Sequence, residues 1–193
     1  MPNNIRQQLS YMQSGDPETC SDATMYAPGQ LGTSVTVIQP TRSPAGVEDG
    51  RAKTYQYVQT DSAMTVAPFK GAVAWWSDRK KYLVTTNPGQ AARNAVAGVF
   101  QNDEAVAPIT KGNFCFIQKG GPGSVKFTDA SANGAATTAG LQVIPSDPSS
   151  TAGKAQTMTA GTAATNTVMG VTVGSGAVLN ALAVVELAIP DMP

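Results

Sequence analysis

Short runs rich in β-branched and aromatic residues recur from residue 31 to the end of the sequence, each cut off by glycine or proline. Val35-Thr36-Val37-Ile38 stops at Pro40, and Thr54-Tyr55-Gln56-Tyr57-Val58 alternates with the period of two that a strand requires. Met64-Thr65-Val66, residues 71–76 and Lys80-Lys81-Tyr82-Leu83-Val84 read the same way, with Asn87-Pro88-Gly89 as a turn. Further strands are expected at 95–100, 113–118, 124–127, 141–144, 167–173 and 178–189. Gly120-Gly121-Pro122-Gly123 reads as the hairpin turn between two of them, and Gly174-Ser175-Gly176 joins the last pair. Helical spacing hardly occurs after residue 30, apart from one turn's worth at Gln90-Ala91-Ala92-Arg93. A chain punctuated so often can bury its apolar faces only by pairing strands, which predicts an all-β barrel or sandwich.

Residues 1–30 differ from the rest. Asn3 and Asn4 can cap a short helix in which Ile5, Leu9 and Met12 form one stripe, with Tyr11 beside it. Breakers such as Gly15, Pro17, Pro28 and Gly29 follow, and so little apolar content cannot build a core. This reads as a frayed terminus or as an arm that orders against a partner. Residues 31–193 are then a single β-rich domain, with a long exposed loop at about 145–165, where Pro, Ser, Thr, Ala and Gly replace large apolar groups.

Composition narrows the chemistry. Thirteen Lys and Arg balance thirteen Asp and Glu, so the chain is not a general polyanion binder, and no direct nucleic-acid partner is expected. With no histidine, neither a Ser-His-Asp nor a Cys-His triad can be assembled, and two cysteines are too few for a zinc site. No catalytic group, cofactor or metal is expected. No stretch approaches the apolar length of a membrane span, so no membrane partner is expected either. Cys20 lies in a polar stretch and Cys115 inside Phe-Cys-Phe, a setting that suits a small buried thiol better than a disulfide between them. The adjacent pairs Glu48-Asp49 and Asp103-Glu104 point to opposite faces of any strand, unlike the converging carboxylates of a glycosidase. The Gly-Gly-Pro-Gly run is followed by a strand rather than a helix, so it lacks the aligned donors of a phosphate loop.

Two features suggest contact surfaces. Asp78-Arg79-Lys80-Lys81 is the one basic cluster, flanked by Trp75, Trp76 and Tyr82. It reads as a solvated hairpin end, as a contact to an acidic protein neighbour, or as a single-strand platform. In an extended strand the two indoles face opposite sides. Both then lie in the core of a sheet covered on each face, or the outward one anchors an interface or stacks on a glycan. After Ala130 the only charged residues are Asp147, Lys154, Glu186 and Asp191, a shortage that suggests surface covered by other chains.

The segment Val96-Ala97-Gly98-Val99-Phe100 leads through Lys111-Gly112 to Asn113-Phe114-Cys115-Phe116-Ile117-Gln118-Lys119-Gly120. Val168-Met169-Gly170-Val171-Thr172-Val173 before Leu182-Ala183-Val184-Val185-Glu186-Leu187 is a similar two-strand ending. This pattern, covering about half of the chain from residue 95 on, resembles the capsid decoration (cement) proteins of tailed bacteriophages. The resemblance implies a small β-rich, β-tulip-like unit that sits on the outer surface of the capsid, commonly as a homotrimer, with the major capsid protein as partner. It also implies synthesis in the host cytoplasm, residence in the virion and no enzymatic activity. The expected contact residues are Ile5, Leu9, Tyr11 and Met12 in the arm, with Trp75, Trp76, Arg79 and Lys80 in the domain. A tail-tube or fibre subunit and a carbohydrate-binding β-module are the competing readings.

Overall fold

The computed structural model describes residues 31–38, 52–87, 96–102, 109–128, 139–146, 152–158, 167–173 and 182–190. The arm residues Ile5, Leu9, Tyr11 and Met12 lie outside them, as do Cys20, the two acidic pairs and the turns at 88–89 and 174–176.

Among the described residues ten strands form one sheet: β1 Ser34–Ile38, β2 Ala52–Thr60, β3 Val73–Asp78, β4 Leu83–Thr85, β5 Val96–Phe100, β6 Phe114–Lys126, β7 Gln142–Pro145, β8 Ala155–Thr157, β9 Gly170–Thr172 and β10 Leu182–Ala188. The order is β1-β2-β4-β3-β5-β6-β10-β9-β7-β8, and β2 also pairs with β6. That extra pairing closes β2, β4, β3, β5 and β6 into a five-stranded barrel. The expected all-β barrel is therefore what the chain forms. The sheet then returns on itself a second time. From β6 it runs through β10, β9, β7 and β8, and an isolated parallel bridge joins Phe127 to Ala155.

Strand alternation distributes the core. Inside the first barrel lie Val58, Ala74, Trp76, Val84, Ala97, Phe100, Cys115 and Ile117, and Cys115 is the small buried thiol expected of it. On the opposite faces of β3 and β5, Val73, Trp75, Val96 and Val99 pack into a second core with Val125, Phe127, Met169, Val185 and Leu187. A third cluster of Val35, Tyr55, Tyr57 and Phe116 lies beneath β1. Trp75 and Trp76 do face opposite sides, and both are buried, at 3% and 7% exposure.

Several expectations are corrected. Gly120-Gly121-Pro122-Gly123 is not a hairpin turn but the middle of the continuous thirteen-residue β6. Residues before it pair with β2 and β5, and those from Gly120 on pair with β10, so the strand leaves one ring and enters the other. Gly121 takes φ +80, where an added Cβ would stand 2.2 Å from the carbonyl oxygen of Ala52, so only glycine fits this bend. Side chains replace the missing ladder partners. Gln118 Nε2 donates to the carbonyls of Gly120, Gly121 and Pro122, at 2.9, 3.3 and 3.0 Å. Gln101 exchanges two hydrogen bonds with the backbone of Ser124, as a neighbouring strand would.

Met64-Thr65-Val66 is not a strand. It follows a turn in which Asp61 accepts from the Ala63 N–H at 2.8 Å and from the Ser77 hydroxyl, and which places Met64 inside at 1% exposure. The tract at 145–165 is not wholly an exposed loop, because β8 lies within it and Ala155 is completely buried. Its small side chains are what the close second core accepts.

Candidate functional site: the mouth of the first barrel

Where β2, β6 and the β3–β4 connection meet, the first barrel opens into a cleft of about 610 Å³. Its side chains are placed by strand register. Gln56 pairs with Ile117, so its side chain lies on the interior side of β2, as Val58 does two residues on. Trp76 reaches the cleft from β3, and Lys119 lines it from β6. Pro190, following β10, completes this wall, held there by the Ile189 N–H donating to the Lys119 carbonyl at 3.0 Å.

The β3–β4 connection supplies the rest. Lys80-Lys81-Tyr82 was expected to be extended, and only Leu83–Thr85 is. Arg79–Lys81 instead form one turn of 3-10 helix, because the Asp78 carboxylate caps it, accepting from the N–H groups of Lys80 and Lys81. Lys81 Nζ adds an ion pair with the same carboxylate at 3.5 Å. The turn ends with Tyr82 at φ 53, the left-handed region that a bulky residue enters only at a cost of about 1–2 kcal/mol. Three contacts hold it there. The Tyr82 carbonyl accepts from the Gln59 N–H at 3.0 Å, and its ring meets Trp76 edge-on at 6.1 Å. The ring also covers Gly32, where an added Cβ would fall 2.3 Å from it.

Arg79, Lys80 and Lys119 bring basic side chains to the cleft, and none of its lining residues is acidic among the described residues. Gln56 is 9% exposed, and its Nε2 donates to the Gly32 carbonyl at 3.3 Å, while its Oε1 has no hydrogen-bond partner. A buried acceptor left unmet costs about 1–3 kcal/mol. The cleft thus combines basic side chains, an acceptor needing a donor, and apolar walls.

Of the sequence-predicted contact residues, the fold brings Trp76, Arg79 and Lys80 together here and sends Trp75 to the second core. Sequence reasoning missed Gln56 and Lys119, which are polar residues inside runs that read as ordinary strands. The signal available was their place on the interior side of the barrel. Among the described residues no group of His, Cys, Asp and Glu side chains is placed to hold a metal ion. In comparisons with protein-family models, curated proteins and solved structures, nothing matches this chain.

Proposed function

We propose that the chain is a structural virion protein, a capsid decoration protein that docks on the outer surface of the major capsid shell and braces it, acting as a trimer. The observation that carries this reading is a bare apolar band on the outer face of β9 and β10. Val171, Val173, Leu182 and Val184 are 40, 44, 43 and 50% exposed. They lie on adjoining strands, with the Val173 N–H donating to the Val184 carbonyl at 3.1 Å. Scattered exposed valines need no explanation, but four gathered on one face of a charge-poor region make a surface suited to burial against another protein. Repetition over a shell turns such modest contacts into firm attachment. Trp75 and Trp76 expose too little ring for glycan stacking, which leaves the carbohydrate-binding reading without its platform.

Quantitative mass spectrometry of purified particles from the source, beside particle-free lysate, tests the proposal. A copy number near that of the major shell protein is the expected result. A low copy number assigns the chain to tail or fibres instead, and absence from particles overturns the virion reading. Removing residues 1–30 then separates arm from domain: a domain that stays folded and no longer binds the shell places attachment in the arm.

A further inference from the structure

We propose that the bare face of β9 and β10 is a contact between two copies of this chain, packed face to face about a two-fold axis that crosses the strands at Val184. The inference rests on the reading of this face as a surface buried in an assembly, and it names what covers it. Register fixes what the face presents. Leu182, Val184 and Glu186 of β10 lie opposite Lys126, Ser124 and Pro122 of β6, and Glu186 also lies opposite Val171 of β9. Directly opposed residues share a face, and the alternate residues Val125, Ala183, Val185 and Leu187 point into the second core. On these three strands the outer face therefore has an apolar middle and one charge at each end, Lys126 beside Leu182 and Glu186 beyond Val184.

That arrangement makes the face complementary to itself, as an isologous contact requires. An axis across the strands at Val184 lays Val184 on Val184 of the second copy and brings each Lys126 to the end that carries the other copy's Glu186. Packed sheets stand about 10 Å apart, a gap that a lysine and a glutamate side chain bridge together. An axis along β10 would instead lay Glu186 on Glu186, and like charges across a contact oppose it. Within one chain Lys126 and Glu186 are four residues apart along the paired strands, about 14 Å, so they do not pair with each other there. Glu186 also has an interaction within its own chain, and a carboxylate with about four acceptor sites takes the lysine in addition. Four half-exposed aliphatic side chains fall short of the roughly 800 Å² per partner of a stable interface. The contact is therefore weak between free molecules. In the proposed assembly it joins a copy in one trimer to a copy in the next, where the shell already holds them side by side.

The test is sedimentation equilibrium of the full chain, free of particles, from about 10 μM to about 1 mM. An average mass that rises with concentration is expected, and a constant mass overturns the proposal. Val184→Lys sets like charges against each other on the axis and should abolish the rise; association that survives it overturns the proposal. Lys126→Glu should weaken association about fivefold or more, and Lys126→Glu combined with Glu186→Lys should restore it, because both pairs are rebuilt with their signs exchanged. A swapped variant that unfolds in urea as the wild type does, yet fails to recover, overturns the two-fold. Ser124→Lys reads the same geometry without touching Glu186: Ser124 lies opposite Val184, so like charges again meet at the axis and association is lost, whereas retained association overturns the placement. Failure of the decoration reading is told apart by the particle measurement. A chain that self-associates and is absent from particles keeps this contact and loses that reading, and a chain abundant on particles that never self-associates loses this contact alone.

Discussion

The two rings share β6 and are built on different terms. The first closes through the pairing of β2 with β6 from Thr54 to Gln59, with a register shift after Thr54, and fills its interior and outer flank with Trp, Tyr and Phe. Among the described residues the second closes through an isolated bridge from Phe127 to Ala155, and its strands β7, β8 and β9 have only three or four residues each. The first presents a mouth held in one shape by the strained Tyr82, with Arg79, Lys80 and Lys119 among its described lining residues. The second presents bare valines on a surface with few charges. A closed barrel gives a rigid frame on which a precise polar site can be held. The looser ring, with less local structure to protect, carries the broad apolar face. The bend in β6 joins them, together with the second core, in which Val73, Trp75, Val96 and Val99 of the first ring are packed, and stress on that bend tests how far the two contributions separate.

Gly121→Ala is the most severe test. The added methyl meets the Ala52 carbonyl oxygen at 2.2 Å, in a backbone conformation with φ +80 that alanine avoids. A loss of about 4 kcal/mol or more in urea unfolding is expected, with the second ring's amides exchanging with solvent before those of β2 and β6. Gly140→Ala is the matched control, with φ +82 and nothing within 4 Å of the new atom, and costs about 1 kcal/mol. Equal effects at the two glycines would show that the close approach at the bend is unimportant.

Gln101→Leu comes next. Its amide gives Ser124 both halves of a backbone pairing, at 3.0 and 3.1 Å, and removing it strands a half-buried N–H and a carbonyl. About 2 kcal/mol is the expected loss in urea unfolding. The same residue shows why the bend was illegible in the sequence. Gly-Gly-Pro-Gly carries every local mark of a hairpin turn, and what overrides that mark is a pair of glutamine side chains and two distant strands. By contrast, Tyr55-Gln56-Tyr57-Val58 and Phe114-Cys115-Phe116-Ile117 declared themselves, because their alternation coincides with burial on both faces. Basic residues beside aromatics marked one rim of the mouth, in Arg79 and Lys80. The acceptor at Gln56 stayed hidden, since which strands close a barrel is set by long-range pairing. Ala155 and Thr157 were masked for the opposite reason: small residues look like loop until a second core is seen closing over them.

Asp61→Asn has a smaller effect, and one that depends on pH. The Ser77 hydroxyl and then the Ala63 N–H hold the Asp61 carboxyl below its ordinary value of 3.8, against a lesser opposing contribution from burial. A carboxyl depressed in the folded state stabilises the protein above its unfolded value and loses that contribution as pH falls through the folded value. The wild type should therefore exceed the variant by about 1 kcal/mol near neutral pH, as its carboxylate accepts both bonds and an amide oxygen replaces only one of them. Urea midpoints taken near neutrality and again at about pH 2 should show the gap closing. A constant gap would mean that shape, not charge, holds the turn at Ser77.

The mildest change in stability falls on the apolar band, which is where the two rings differ most in purpose. Val184→Lys replaces a half-exposed side chain on the outer face of β10, where it packs no core and its backbone bonds are untouched. Thermal unfolding should move by no more than about 0.5 kcal/mol. If the band is the docking surface, that variant loses particle association while its fold is unchanged. If Val184→Lys left particle binding whole, the valines would be ordinary surface residues, and the search for the attachment face would move to the mouth.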